Sequence, residues 1–359
     1  MPRIELRGVS GVYGDGTVGL HPTSLEIAAG ELVAVVGPSG SGKTTLVRLI
    51  AGLDRPATGE VRFDDEVMND VHSSARGIGL VVAQGALYGH MTSEQNLRFP
   101  LKVTGVGEPE QTERTETEAG RFGISRILGR KPHSLSAGER QLVATGRATV
   151  RDASILLFDE ALVGIDPHLR QLIRAELRKL HNGTHTIVYA TNEQEEAMAL
   201  ADRMVVLDRG RVQQVGRPMD VYRSPSNTFV AEFTGSPGMN IVPADLQPGN
   251  RLQIGEDEIE LAIPPPGSGP FLVGIRPEHA HLAPPGHPFR ECLHARVIGV
   301  EHLGSQRVAH VAFGTPDSGA LDFRVRVTED RPLAPGDRVE LALSTDRISY
   351  FDRETGLRL

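Results

Sequence analysis

The chain has 359 residues, of which 39% are hydrophobic and 23% are charged, and its formal net charge is −8. This length predicts about two or three domains with substantial cores, and the composition is typical of a soluble globular protein. Because phosphate contacts need a basic face, we expect no nucleic-acid partner. The single cysteine, Cys292, excludes a disulfide framework, and with no apolar run near ~20 residues we expect no leader peptide or membrane span.

The first predicted elements are two strands on either side of an aromatic turn. Residues 3–9 and 23–27 have strand character, and the turn at 11–19 contains Tyr13. A tyrosine ring there is consistent with plain surface packing. It is equally consistent with stacking on an adenine base, because a flat π-face suits a nucleobase. The residues alone leave both interpretations open.

A glycine-rich loop follows, within VAVVGPSGSGKTTLV at residues 33–47. It fits the pattern G-x-x-x-x-G-K-[ST] between a strand and an amphipathic helix, which predicts a nucleotide phosphate site. Glycines let backbone N–H groups turn inward around an anion, and the helix N-terminus adds free donors. Lys43 would contact the β- and γ-phosphates, and the Thr44 hydroxyl would ligate Mg²⁺. The alternative is a glycine-rich turn with a chance lysine. The predicted binding residues are Gly37, Pro38, Ser39, Gly40, Ser41, Gly42, Lys43, Thr44 and Thr45.

The middle of the chain alternates strands and helices. We predict strands at 59–63 and 77–82, an apolar loop at 83–91, and a charged helix face at 108–119 that is solvated and has no chemistry. Ser136 precedes a helical stretch at 142–150, with Glu139 three residues later, which is the pattern of a capping box. That pattern is common, so by itself it favours a structural role.

A uniformly apolar strand at 154–160 ends in Asp159 and Glu160. Parallel strands buried on both faces have this composition, and ligands gather at their carboxyl ends. We therefore predict that Asp159 is a partner of Mg²⁺, either directly or through a ligand of the metal, and that Glu160 polarises an attacking water. The alternative is an acidic turn after a strand. A helix at 167–181, a strand at 186–191, a helix at 193–201 capped by Asn192, a strand at 203–207 and a hairpin at 210–215 complete the domain.

Proline use changes near residue 235. Of the 24 prolines, 14 lie in the last 124 residues, where short strands alternate with Pro/Gly turns. We therefore place a boundary at residues 235–239, between a nucleotide-binding domain at 1–235 and a β-rich domain at 236–359. The second domain is predicted to be a small OB-like barrel without the basic, aromatic face that binds nucleic acid. Its candidate strands are 271–275, 295–302, 307–313, 321–327 and 338–343.

Taken together, the chain resembles the ATP-binding subunits of ABC transporters, most closely those of the maltose-type carbohydrate importers. The resemblance covers nearly the whole chain and is carried by GPSGSGKTTLVRLIAGL, ALYGHMT, LSAGERQLVATGRA, ILLFDEALVGIDPHLR, NEQEEAMALADRMVVLDRGRVQQVG, SPSNTFVAEFTGSPGMN and GIRPEH. It implies an α/β P-loop NTPase with a RecA-like core, an antiparallel β subdomain and a helical subdomain at about 88–150. An all-β OB-like/TOBE regulatory domain would follow.

The resemblance also implies roles for residues. Tyr13 would be the adenine platform, and Ser136, Ala137 and Gly138 would bind the γ-phosphate of ATP held by a second subunit. Asp166 would hold the geometry between the subunits. A groove at 87–91 would receive a coupling helix of the membrane subunit. The implied cofactors are ATP and Mg²⁺, and the implied location is peripheral, on the cytoplasmic face of the cell membrane. The implied partners are transmembrane permease subunits, an identical or paralogous second nucleotide-binding subunit and, indirectly, an extracytoplasmic solute-binding protein.

The sequence departs from the family pattern around the γ-phosphate. When the sequence is aligned without gaps, Ala83 takes the position of the family's Gln-loop glutamine. A one-residue deletion in the alignment would instead place Gln84 there, and Gln84 would then have the glutamine's role, including its contact to the metal. The signature has Ala137 and Glu139 in place of glycine and glutamine. The switch histidine is Asn192, whose amide can donate a hydrogen bond but cannot become cationic. Ala161 replaces the proline after Glu160.

Three functions remain. The first is the ATP-hydrolysing, energy-coupling subunit of a carbohydrate importer. The second is a weakly hydrolysing or non-hydrolysing regulatory partner in such a transporter. The altered residues favour it because they leave the phosphate-binding residues intact and change those that contact the γ-phosphate. The third is a small-molecule phosphotransferase, which would need an acceptor pocket that the sequence does not indicate.

Overall fold

The computed structural model describes residues 1–181, 184–267, 270–283, 292–304, 306–313, 321–327 and 332–359, and the backbone alone of Gln84. The chain divides into two compact units, Met1–Met219 and Asp220–Leu359. The domain boundary at residues 235–239 stays a prediction. No helix in the described ranges is both long enough and apolar enough to cross a bilayer.

The first unit is an α/β structure, as predicted. Its strands are β1 (Ile4–Val12), β2 (Val18–Ile27), β3 (Leu32–Val36), β4 (Thr58–Phe63), β5 (Glu66–Val67), β6 (Ile78–Val82), β7 (Ile155–Asp159), β8 (Thr186–Thr191), β9 (Arg203–Asp208) and β10 (Arg211–Gly216). Its helices are α1 (Lys43–Ala51), α2 (Ser93–Val103), α3 (Glu108–Arg121), α4 (Ala137–Thr149), α5 (Pro167–Leu180) and α6 (Gln194–Leu200). Helix α7 (Pro218–Arg223) spans the division between the units.

Two sheets form this unit in the described part of the chain. One has the strand order β10-β9-β3-β8-β7-β6, and the other has the order β2-β1-β4-β5 and is antiparallel. In the first sheet, β3, β8, β7 and β6 run parallel. Val36 at the end of β3 pairs with Thr191 at the end of β8. Asp159 at the end of β7 pairs with Ala190 in β8 and with Val82 in β6. The loops that follow these strands therefore leave the sheet at one common edge.

The core of the first unit has two parts. One hydrophobic cluster joins the antiparallel sheet, α1 and β3, including Leu6, Leu46 and Val35. The other joins β7 to helices α2 to α5, including Phe158, Val143 and Leu177. Helix α1 is thereby packed between the antiparallel sheet and strands β7 and β8.

The helices between β6 and β7 follow the predicted local signals, with one exception. Helix α4 begins with the predicted capping box, because the Ser136 Oγ accepts from the N–H of Glu139 at 3.2 Å and the Glu139 carboxylate accepts from the N–H of Ser136 at 2.7 Å. The exception is the charged stretch at 108–119, which we expected to be solvated. It forms α3, but Glu118 is buried and accepts a hydrogen bond from the Thr149 hydroxyl at 2.7 Å.

The second unit consists mainly of β-strands. Its strands are β11 (Asn240–Gln247), β12 (Arg251–Ile254), β13 (Asp257–Glu260), β14 (Phe271–Ile275), β15 (Ala280–Ala283), β16 (Leu293–Leu303), β17 (Gln306–Phe313), β18 (Leu321–Val327), β19 (Arg338–Leu343) and β20 (Ser349–Asp352). They form sheets with the orders β13-β12-β11-β14-β20 and β15-β19-β16-β17-β18 around one core. The five strands predicted from the sequence are confirmed. Helix α8 (Thr228–Phe233) precedes them.

A buried arginine connects the helices of this unit to its sheet. Arg276 follows β14 and is 3% exposed. Its guanidinium donates to the carbonyls of Tyr222 at 2.5 Å and Ala231 at 3.0 Å, to the carbonyl of Thr234, and to the Thr234 hydroxyl at 3.1 Å. It also lies over the Tyr222 ring, 3.8 Å from the centroid. One side chain therefore satisfies several carbonyl groups at the end of α8.

We predict that Arg276→Met lowers the free energy of unfolding of the second unit by about 2–4 kcal/mol, because it leaves buried carbonyls without donors. Hydrogen–deuterium exchange of the full chain, followed in β14 and α8, measures the change. The matched control is Arg347→Met, which removes an exposed arginine paired with Asp346 at 3.2 Å and should cost no more than about 0.5 kcal/mol. Equal exchange rates in the two variants would contradict the assignment.

Candidate nucleotide-binding site

The glycine-rich loop has a backbone conformation and close contacts that residues with side chains would not allow. Gly40 and Gly42 have φ values of 79° and 105°, in the left-handed region that favours glycine. A Cβ on Gly37 would lie 2.2 Å from the carbonyl oxygen of Leu207, so strand β9 approaches too closely for any side chain. Gly42 is also the N-cap of α1, with no side chain to occupy the free N–H groups of the first turn. The loop can therefore present backbone donors to an anion.

Lys43 lies inside this loop. Its side chain is 3% exposed, and its Nζ donates to the carbonyls of Gly37 at 2.9 Å and Pro38 at 3.0 Å. The same nitrogen lies 3.5 Å from Oε1 of Glu160. A cation held at this position lies beside the free N–H groups of α1 and can contact an anion bound there.

Thr44 and Asp159 lie together where the loop meets β7. The Thr44 hydroxyl donates to Oδ1 of Asp159 at 3.0 Å. Burial raises the pKa of the Asp159 carboxyl above its usual range, whereas the Thr44 hydrogen bond opposes that shift. Among the described residues, no group of three or more His, Cys, Asp or Glu side chains could hold a metal ion. One carboxylate and one hydroxyl nevertheless fit Mg²⁺, which takes few protein ligands and completes its shell with phosphate oxygens and water.

Glu160 has an unusual backbone. Its φ of 50° lies in the left-handed region, and its N–H donates to the carbonyl of Ala190 in β8 at 2.9 Å. Non-glycine residues in this region are uncommon and occur often at functional sites. The turn directs the Glu160 side chain toward Lys43 and leaves it 28% exposed. Glu160 can therefore contact a solvent molecule beside a bound anion.

Several of the residues described above, including Lys43, Thr44 and Glu160, line a cavity of about 450 Å³. Its lining consists of Tyr13, Thr17, Val18, Gly19, Ser39, Gly40, Ser41, Gly42, Lys43, Thr44, Thr45 and Glu160. The ring of Tyr13 is 44% exposed, and its hydroxyl bonds the Thr45 hydroxyl at 2.6 Å, which orients the ring at one end of the cavity. Thr17, Val18 and Gly19 were not predicted as site residues from the sequence. Their position in the predicted turn at 11–19, together with Tyr13, could have indicated that they line the same cavity.

The residues expected to act on a second subunit lie outside this cavity. Ser136, Ala137 and Gly138 form the start of α4, where the Ser136 oxygen accepts the capping hydrogen bond and its hydroxyl hydrogen remains available to a further acceptor. A Cβ on Gly138 would lie 2.4 Å from Cδ2 of Leu169. Asp166 is the N-cap of α5 and accepts from the N–H of Leu169 at 3.0 Å. The starts of α4 and α5 are therefore neighbours.

Asn192 follows β8 at the common edge. Because Val36 pairs with Thr191, Asn192 leaves the sheet beside Gly37 and the glycine-rich loop. We predicted that Asn192 caps the following helix, and this is wrong. Helix α6 begins at Gln194 with Glu193 as its N-cap, and the hydroxyl of Thr191, not the Asn192 amide, accepts from the N–H of Glu193 at 3.0 Å. The Oδ1 of Asn192 is buried and has no hydrogen-bond partner in the described part of the chain.

Ala83 is the first residue after β6 and begins a short 3₁₀ turn with Gln84 and Gly85. Since Val82 pairs with Asp159, Ala83 lies at the same edge of the sheet, and its exposed methyl group offers no ligand to a metal. The Gln84 side chain lies outside the described part of the structure. The alternative roles of positions 83 and 84 therefore stay open.

A strand, a glycine-rich loop, a helix, and a second strand ending in an Asp-Glu pair define a P-loop nucleotide-binding protein. Comparison with known sequences identifies the family. The family described as ABC transporter matches residues 20–163, the MalK OB fold domain matches 235–280, and the TOBE domain matches 273–351.

Relatives match over the full length. The sn-glycerol-3-phosphate import ATP-binding protein UgpC of Cupriavidus metallidurans is 38% identical over 375 residues, which cover 100% of this chain and 99% of that protein. UgpC 2 of Agrobacterium fabrum is 40% identical over 371 residues, with 100% and 95% covered. The ATP-binding cassette MJ0796, solved as a dimer in a post-hydrolysis state with ADP and Pi, superposes with a TM-score of 0.57 at 29% identity and covers 60% of this chain and 98% of its own. The chain belongs to the family of ATP-binding subunits of ABC transporters.

We predict that Lys43→Ala raises the Kd for MgATP by ~10- to 100-fold, because it removes a charge-assisted contact to phosphate. Isothermal titration of the full chain measures the Kd. Lys179→Ala is the matched control, since it removes a lysine whose side chain is 66% exposed and should leave the Kd unchanged. If Lys43→Ala bound MgATP as tightly as the wild type, the assignment of the phosphate site would be wrong.

Proposed function

We propose that this chain is the subunit whose ATP binding and hydrolysis power an ABC importer for a carbohydrate or a similar small polyol. The observation that carries the proposal is the grouping of Lys43, Thr44 and Glu160 around one cavity, with Asp159 hydrogen-bonded to Thr44. The relatives named for sn-glycerol-3-phosphate import support an importer and suggest a candidate solute for it. Solute choice itself belongs to other subunits of such a transporter.

The residues support a hydrolytic mechanism. The loop N–H groups and Lys43 bind the phosphates of ATP and neutralise their charge. Thr44 and Asp159 would hold Mg²⁺, which would supply positive charge to the phosphate oxygens. Glu160 accepts a hydrogen bond from a water molecule and orients it for in-line attack on the γ-phosphorus. The bond from that phosphorus to the bridging oxygen breaks, ADP leaves with the electron pair, and Glu160 accepts the proton that the attacking water loses.

A second subunit completes this site in our proposal. The free N–H groups at the start of α4 and the Ser136 hydroxyl donate to the γ-phosphate of ATP held by the partner. They lie outside the cavity of their own chain, which fits a role toward another subunit. Asp166, exposed at the start of α5, contacts the partner at the same interface. The partner is a second copy of this chain or a paralogue.

Membrane subunits dock on the helical subdomain in this proposal. Tyr88 is 40% exposed and packs against Phe99 in a tilted arrangement, with ring centroids 4.8 Å apart, while the Arg147 guanidinium lies 5.3 Å from the Tyr88 centroid. An ordered aromatic surface of this kind suits a coupling helix of the permease, with the chain peripheral on the cytoplasmic face of the membrane. Closure of two cassettes around ATP, and their reopening after hydrolysis, would move the permease between its states.

Turnover is slow in our proposal because several groups around the γ-phosphate are altered. Asn192 donates a hydrogen bond at most, whereas an imidazole can also carry positive charge. Ala137 adds a methyl group at the start of α4, and Glu139 adds a negative charge within the capping box. These observations favour, as a second candidate function, a weakly hydrolysing subunit that pairs with a more active relative.

We predict that Asn192→His raises the kcat for phosphate release by ~10-fold or more, because a cationic donor stabilises the charge that develops on the γ-phosphate. Steady-state phosphate release by the full chain, alone and with its membrane subunits, measures the effect. Asn192→Ala is the matched control and should not exceed the wild type. Fast wild-type turnover that the histidine leaves unchanged would contradict the proposal.

A further inference from the structure

A buried carboxylate lies behind the edge at which Asn192 leaves the sheet. Glu196 in α6 is 3% exposed. Its Oε2 accepts from the Tyr189 hydroxyl at 2.6 Å and from the Thr191 hydroxyl at 3.1 Å, and both donors belong to β8. Tyr189 and Thr191 are each 1% exposed, so no solvent competes for these bonds. One carboxylate oxygen therefore fixes the last residues of β8 against α6.

This contact constrains residue 192 directly. Thr191 precedes Asn192, and its hydroxyl donates to Glu196 while it accepts from the N–H of Glu193. The residues on both sides of Asn192 are thus held through the same hydroxyl group. Glu196 therefore anchors the hydroxyl group that holds the backbone around Asn192.

The second oxygen of Glu196 faces a different element. Its Oε1 lies 3.7 Å from Nε of Arg170 in α5. Neither atom has a hydrogen-bond partner in the described ranges, although both are buried. Arg170 also donates through Nη2 to the carbonyl of Ile165 at 3.4 Å, and its N–H donates to the carbonyl of Asp166 at 3.0 Å. The arginine is therefore fixed to the loop that ends at Asp166.

We propose that Glu196 is a positioning residue for ATP hydrolysis. It holds Asn192, which faces the γ-phosphate, and the loop ending at Asp166, which faces the partner subunit, at a fixed spacing. Glu196 lies outside the nucleotide cavity and acts only through Thr191 and Arg170. This role rests on the function proposed above, and it predicts that Glu196 affects the rate of phosphate cleavage and leaves nucleotide affinity unchanged.

The test is Glu196→Gln in the full chain. The amide keeps the volume and an oxygen that accepts from Tyr189 and Thr191, but it turns an N–H₂ group toward Arg170 and removes the ion pair. We expect kcat for phosphate release to fall by ~10- to 100-fold and the Kd for MgATP to stay within ~3-fold of wild type, because small displacements near a reacting centre slow chemistry more than binding.

The chain offers a matched control. Glu118 in α3 is another buried glutamate, bonded by the Thr149 hydroxyl at 2.7 Å and lying 3.4 Å from Nη1 of Arg121. It contacts none of the residues that line the nucleotide cavity. Glu118→Gln should change kcat by less than ~2-fold at a similar loss of thermal stability. If both variants lose kcat in proportion to stability, Glu196 has only a structural role and the proposal is overturned.

Arg170→Met keeps the assignment testable if Glu196→Gln does not fold. It should lower kcat to the same extent, and the double variant should be no slower than either single variant, because both remove one interaction. Additive losses would overturn the proposed link. MgATP titration of the wild type separates this result from failure of the proposed function, since a chain that binds no MgATP refutes the function whatever Glu196 does.

Discussion

The register of the parallel strands is the constraint on which the site depends. Because Val36 pairs with Thr191, and Asp159 with Ala190 and Val82, three loops with different chemistry leave the sheet at one edge. That edge receives the phosphate-binding loop, the carboxylate pair and Asn192. A shift of one strand by one residue would separate these groups and reverse the face of every side chain along that strand. Packing of α1 on one side and of α4 and α5 on the other maintains the register.

Around this edge, the groups proposed to bind nucleotide and the groups proposed to sense its γ-phosphate differ in how well they match the family pattern. Lys43, Thr44 and Asp159 are all present: the Thr44 hydroxyl donates to Asp159, and the Lys43 Nζ lies 3.5 Å from Oε1 of Glu160. The altered positions lie at the edge or at the start of α4, and they are Ala83, Ala137, Glu139, Ala161 and Asn192. We therefore expect ATP binding to be retained and ATP hydrolysis to be slowed. Behind the edge, Glu196 and Arg170 connect the end of β8 before Asn192 to the loop that ends at Asp166.

Much of the fold and the centre of the site could be predicted from the sequence, because the signals are local. The glycine pattern at 37–44, the capping box at Ser136 and the apolar strand before Asp159 each act over a few residues. What could not be predicted depends on contacts between distant segments. Thr17 to Gly19 reach the cavity through a turn, Arg276 binds carbonyls of α7 and α8, and Glu196 meets Arg170 of another helix. The expected Asn192 cap failed because the Thr191 hydroxyl makes the local hydrogen bond to Glu193 instead.

The central claim is that this cassette binds ATP well and hydrolyses it slowly. The most direct measurement combines MgATP binding at equilibrium with single-turnover cleavage of the γ-phosphate on the same preparation of the full chain. The account predicts saturable MgATP binding with a cleavage rate constant below ~1 s⁻¹, the lower limit of ordinary enzyme turnover. Cleavage at ~10 s⁻¹ or faster, or no binding of MgATP, would contradict it.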